Sequence, residues 1–199
     1  ENPPDPAIVD VTFATADGVA IHAWYLEQPG SADALVICHG NAGNLSYRGG
    51  SLLRFRGWLG CSVLIFDYPG YGKSGGRPSE AGCYASAEAA LRWLEDVKGI
   101  PSRRVVLFGD SLGGGVAVEV ARRWPCRALV LMKTFTCLPD VAQRKFWWLP
   151  VRRVMRNRFD NLGKIRDVRS PVLIASATAD ELVPFEMGEQ LFAAALEPK

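Results

Sequence analysis

A chain of 199 residues with 48% hydrophobic and 22% charged side chains has ample material for one packed core. Its formal net charge of +2 is too small to argue for a nucleic-acid partner. No run approaches the about 18 consecutive apolar residues that a membrane-spanning helix needs, and no signal-peptide pattern opens the chain, which begins at Glu1. Localisation stays open between cytoplasmic and membrane-associated through a segment outside these residues.

Asn2-Pro3-Pro4-Asp5-Pro6 reads as an extended linker. Two alternating stretches follow, Val9/Val11/Phe13 and Val19/Ile21/Ala23/Tyr25, separated by Asp17-Gly18. They predict an antiparallel hairpin with one buried face, which puts His22 on the polar, solvent-facing side. The apolar runs at 34–38, 62–66, 104–108, 128–132 and 171–175 are continuous rather than alternating, the pattern of strands covered on both faces. Helical stretches are expected between them, at about 45–59, from Ser79-Glu80, after Ser111 and at about 184–196. Strand–helix alternation of this kind predicts an α/β protein with a mainly parallel central sheet flanked by helices, in one domain over 1–199.

Ligand sites of such sheets lie at the carboxyl ends of the strands, so the residues there carry the functional argument. Val105–Phe108 runs into Gly109-Asp110-Ser111-Leu112-Gly113-Gly114, a buried strand, a sharp turn and a helix start. In a G-x-S-x-G turn the serine takes a strained conformation that projects its hydroxyl, and the small neighbours let strand and helix approach. The N–H of Leu112 points to where an oxyanion would form, at the positive end of a helix dipole. The other strand ends are His39-Gly40-Asn41-Ala42-Gly43-Asn44, Asp67-Tyr68-Pro69-Gly70-Tyr71-Gly72-Lys73-Ser74, the 133–136 run and Ala177-Thr178-Ala179-Asp180.

With these loops in order, the chain resembles the α/β-hydrolase superfamily, and within it the small serine aminopeptidase-like and depalmitoylase-like serine hydrolases that carry HGNAGN, DYPGYGKS and GDSLGG loops. The resemblance spans about residues 11–199. It implies an α/β-hydrolase fold and hydrolysis of carboxylic esters or thioesters through an acyl-enzyme, with peptide hydrolysis as the lesser alternative; an apolar cap over the serine would suit a hydrophobic, lipid-like acyl substrate. Ser111 is implied as nucleophile and Asp180 as triad acid, with the backbone N–H groups of Asn41 and Leu112 as the oxyanion hole. His39 is implied as a residue that orients its loop. Asp67 is expected to tie down the tyrosine- and glycine-rich loop, and Asp110 to point away from the serine. No histidine follows His39, so the resemblance places the triad base, with a further strand and helix, beyond Lys199. A gene product without that histidine would instead be a non-catalytic binding or scaffold protein of the same fold. Lys133 stands where close relatives carry asparagine.

Residues 134–169 occupy the place of a small cap. The segment combines Phe146-Trp147-Trp148-Leu149-Pro150-Val151 with Arg144, Lys145, Arg152, Arg153, Arg156, Arg158, Lys164, Arg166 and Arg169, against Asp140, Asp160 and Asp167. Two compatible readings stay open, a helical cap with an apolar underside over the serine, and a surface that meets an anionic membrane. The five cysteines are odd in number and widely spaced, which predicts free, mostly buried thiols. The order of glycines around Ser111 fits neither a dinucleotide fingerprint nor a P-loop, and no metal-ligand spacing is present, so no cofactor and no metal are expected.

Overall fold

The computed structural model describes residues 2–199. Seven strands form one sheet: β1 (Ile8–Ala14), β2 (Ala20–Leu26), β3 (Ala34–Cys38), β4 (Ser62–Phe66), β5 (Val105–Asp110), β6 (Ala128–Met132) and β7 (Val172–Ala175), in the spatial order β1-β2-β4-β3-β5-β6-β7. The β1–β2 and β2–β4 pairs are antiparallel and all later pairs are parallel. Each continuous apolar run is thus a strand of the parallel part; β3 and β4 are buried on both faces as expected, whereas β6 and β7 are covered on one face only, with Met132 and Leu173 exposed on the other.

Residue alternation along these strands divides the interior into two layers. Val36, Cys38, Leu64, Phe66 and Leu107 face the larger cluster, beneath helices α2 (Glu80–Lys98) and α3 (Leu112–Arg123). Leu35, Ile37, Val63, Ile65 and Phe108 face the smaller one, beneath α1 (Gly49–Leu59), which a single 3-10 turn at Leu45–Arg48 precedes. α2 starts where Ser79 caps it by accepting the Gly82 N–H at 3.0 Å, and stops at Gly99 in the left-handed conformation. Between β6 and β7 the chain forms three short helices, α4 (Leu138–Lys145), α5 (Val151–Val154) and α6 (Asn161–Ile165); α7 (Phe185–Ala194) follows β7.

The hairpin forms as expected, but its solvent-facing side does not. β2 lies inside the sheet between β1 and β4, and every residue from Ile21 to Leu26 is buried. His22 is therefore a buried residue rather than a surface one. A strand flanked by two others and covered by the 67–74 loop has no polar face, and alternation alone does not report that covering. All five cysteines are free and only Cys137 is partly exposed; burial pushes the Cys83 thiol up to about 12 and the Cys137 thiol up to about 11.

Candidate active site

The carboxyl end of β5 delivers Ser111 into the first turn of α3. The Ser111 N–H still bonds the Met132 carbonyl of β6 at 2.9 Å, and its own carbonyl accepts from Gly114 at 2.9 Å, so the residue is held between strand and helix. Its backbone lies at φ 52°, ψ −113°, a region that costs a serine on the order of 1–3 kcal/mol. The glycines permit this. A β-carbon at Gly113 would land on the Cys38 carbonyl, and one at Gly109 would land 2.5 Å from the Gly114 Cα, so any side chain would push α3 off the sheet. Leu112 occupies the first helical position, where an N–H has no intrahelical acceptor.

The loop after β3 closes against this turn. A β-carbon on Gly40 would lie 3.6 Å from Ser111 Cβ, which places the Gly40–Asn41 backbone beside the serine. Three anchors fix the loop. Tyr68 donates its hydroxyl to the His39 carbonyl at 2.8 Å, His39 Nδ1 bonds the Gly40 carbonyl at 2.8 Å, and Tyr71 donates to the Asn41 side-chain carbonyl at 2.6 Å. Behind the loop, Asp67 is fully buried and accepts the Leu45 N–H at 2.8 Å. Its carboxylate stands 3.3 Å from His39 Nε2 and 3.7 Å from His22 Nδ1, while His22 Nε2 bonds Asp10 at 2.9 Å. Asp67 thus ties down the 39–45 loop with its side chain and the 67–74 loop with its carbonyl, which accepts from Ser74 at 2.9 Å. Both histidines are engaged away from Ser111.

Asp110 pairs with Arg48 at 3.5 Å and with Lys133 at 3.3 Å. These three line a cavity of about 230 Å³ whose remaining walls include Ile37, Phe55, Phe108 and Met132. Lys133 itself lies at φ 50°, in the left-handed region that asparagine tolerates better than lysine does. Asp180 sits on the turn after β7, half-buried, and its Oδ1 accepts the N–H groups of Leu182 and Val183, each at 2.9 Å. Ser111, Asn41, Leu112 and Asp180 therefore share one edge of the sheet. The first three are adjacent; Asp180 stands two strands over and makes no hydrogen bond to Ser111 among the described residues.

Two residues of this arrangement were missed in the sequence, Tyr71 and Arg48. The Tyr-Pro-Gly-Tyr run signals a tight loop, but nothing local says that its second tyrosine crosses to Asn41. Among the described residues no group of three or more His, Cys, Asp or Glu side chains is arranged to hold a metal ion.

A family model described as the alpha/beta hydrolase fold matches residues 33–161. This chain belongs to the alpha/beta hydrolase family. An uncharacterised protein of Mycobacterium tuberculosis is 42% identical over 196 residues, covering 98% of this chain and 69% of that protein. The alpha/beta hydrolase domain-containing protein WAV2 of Arabidopsis thaliana is 31% identical over 192 residues, covering 88% of this chain and 62% of that protein. The chain thus spans less than the full length of these relatives. Among solved structures, the Pyrococcus furiosus esterase Pf2001 superposes with a TM-score of 0.78 at 23% identity, covering 94% of this chain and 77% of that one. At that identity the likeness is one of fold.

Proposed function

We propose that this chain is the core of a serine hydrolase that cleaves carboxylic esters or thioesters. The observation that carries the reading is the strained Ser111, held at φ 52° at the start of α3 with the Gly40–Asn41 backbone against it. A serine is placed so for attack, and the esterase among the structural neighbours supports ester chemistry.

In this reading Ser111 Oγ attacks the carbonyl carbon while its proton passes to an imidazole base. The oxyanion accepts the N–H groups of Leu112 and Asn41, each such donor contributing about 3 kcal/mol to the transition state. Collapse expels the alcohol or thiol, which takes the proton back, and water releases the acid by the same steps in reverse order. Asp180 orients the base. His22 and His39 are both committed to other partners, so the base is a histidine from outside residues 2–199.

Covalent labelling of the full-length protein by a fluorophosphonate tests this. Labelling is expected in the wild type and absent in Ser111→Ala. Labelling that survives Ser111→Ala, or none in either protein, overturns the reading and leaves a binding or scaffold role for the fold.

A further inference from the structure

The expected apolar underside of the segment between β6 and β7 does not contain its aromatic run. Phe146, Trp147, Trp148 and Leu149 all face solvent, Trp147 at 80% and Trp148 at 65% exposure, and Val154 beside them is 68% exposed. Four consecutive large apolar side chains in water are a pattern that soluble surfaces avoid unless they bind something.

The structure holds them there. The Gln143 side-chain amide donates to the carbonyls of Phe146 at 3.1 Å, Trp147 at 3.2 Å and Leu149 at 2.8 Å. The Leu149 N–H bonds the Phe146 carbonyl at 3.0 Å and Val151 bonds Leu149 at 2.8 Å. The loop's backbone is thus satisfied from within, and its side chains are left to point out. The opposite side is pinned to α2: the Arg158 N–H donates to Glu80 Oε2 at 2.5 Å, the Glu80 N–H to Asn157 at 3.2 Å, and buried Phe159 meets Tyr84 edge-on at 5.6 Å.

Charge identifies the occupant. Between Asp140 and Asp160 the sequence has six basic residues and no acidic one. Arg152 pairs with Asp140 at 2.7 Å, and the side chain of Lys145 lies outside the described residues. Arg144, Arg153 and Arg156, which flank the aromatic run in the sequence, are exposed. A tryptophan ring settles at the headgroup level of a bilayer, and cations flanking it are drawn to acidic lipid. A protein partner of ordinary composition would not call for both a four-residue apolar tip and a one-signed flank.

We propose that residues 144–158 dock this protein on an anionic lipid surface, with Trp147 and Trp148 entering the headgroup region and Arg153 and Arg156 over the lipid phosphates. The segment leaves the sheet at the carboxyl end of β6, the end at which the Ser111 turn also lies.

Co-sedimentation of the full-length protein with phosphatidylcholine vesicles, with and without phosphatidylserine, tests the proposal. Binding is expected with phosphatidylserine, weaker without it, and falling as salt rises. W147A/W148A is expected to lower the partition coefficient about tenfold or more, and R153Q/R156Q to lower it roughly 30-fold on acidic vesicles only. Unchanged melting temperatures show that both variants are folded; the arginine pair, fully on the surface, keeps the test valid if the tryptophan pair is not. Ser111→Ala is expected to bind as wild type does, which separates this test from that of hydrolysis. Absence of binding to acidic vesicles overturns the proposal, as does binding that neither variant alters. Self-association or docking of another part of the chain that W147A/W148A abolishes, without vesicle binding, overturns it in favour of a protein occupant.

Discussion

The Tyr71 hydroxyl donates to the side-chain carbonyl of Asn41 at 2.6 Å, joining the loop after β4 to the loop whose backbone abuts Ser111. Tyr71 touches no reacting atom in the proposed mechanism; it positions Asn41. One neutral hydrogen bond of this kind is worth about 0.5–1.5 kcal/mol. Tyr71→Phe is therefore expected to slow fluorophosphonate labelling of Ser111 roughly 2–10-fold. The loss falls on kcat for an ester substrate, with KM nearly unchanged, because a loosened donor matters most where charge develops. A loss confined to KM would place Tyr71 in substrate binding instead.

Lys133 separates conformation from charge. Its φ of 50° disfavours any residue with a β-carbon, while its ammonium pairs with Asp110 at 3.3 Å in a partly exposed setting. Lys133→Gly and Lys133→Ala lose the ion pair equally and differ only in backbone cost. The glycine variant is expected to be the more stable by about 1 kcal/mol, measured by urea midpoint. Equal midpoints would show that the left-handed turn carries no strain.

Glu119 supplies a pH dependence. It is buried on α3 and bonded to Arg122 at 2.8 Å, to Arg123, and to Lys164 of α6 at 2.9 Å. Burial pushes its carboxyl up, but the hydrogen bonds from Arg122 and Lys164 and the charges of Lys164 and Arg123 outweigh that and hold it at about 2. A carboxyl depressed by folding stabilises the protein fully above its unfolded value of about 4.3. That contribution is lost as pH falls from there through about 2, where the unfolded chain binds the extra proton. Glu119→Gln is expected to lower the urea midpoint at neutral pH and to flatten its fall between pH 4.5 and 2. A variant whose midpoint tracks that of the wild type across this window would show that other carboxylates set the acid limit. Because Lys164 also bonds the Tyr84 hydroxyl at 2.9 Å, the same variant loosens the seam between α2, α3 and α6.

The sequence conveyed most strongly what depends on neighbours along the chain. The runs at 34–38 and 62–66 coincide with β3 and β4, because burial on both faces leaves almost no polar residue to interrupt them; the run at 128–132 coincides with β6, although one face of that strand is only partly covered. The Ser111 turn was legible for the same reason: its glycines are required by contacts within a few residues and with the adjoining strand. Contacts across the sheet were not legible. His22 alternates as a surface residue should, yet the 67–74 loop covers it. The aromatic run at 146–149 reads first as a cap's apolar underside, whereas its side chains lie outside, on a loop whose carbonyls are bonded by Gln143. The Tyr71–Asn41 and Arg48–Asp110 contacts join residues far apart in the chain, and neither residue of a pair announces the other.

The buried carboxylate of Asp67 is the point on which the two glycine-rich loops converge, and its removal gives the last prediction. Its Oδ1 accepts the Leu45 N–H at 2.8 Å, and its oxygens face the rings of His39 and His22 at 3.3 and 3.7 Å. Both of those ring nitrogens lack any other bonded partner among the described residues. Asp67→Ala therefore leaves one buried N–H and two buried imidazole nitrogens without the group they face, a loss expected to cost roughly 3 kcal/mol in chemical denaturation. Asp67→Asn keeps an acceptor for Leu45 but no charge beside the histidines, and is expected to fall between the alanine variant and the wild type. Because Leu45 follows the Gly40–Asn44 stretch directly, both variants are also expected to slow labelling of Ser111, and in the same order as they lose stability. An alanine variant as stable as the wild type would show that the loops are held by Tyr68, Tyr71 and Ser74 alone. Stability lost without any change in labelling would uncouple the buried Asp67 centre from the loop beside the serine.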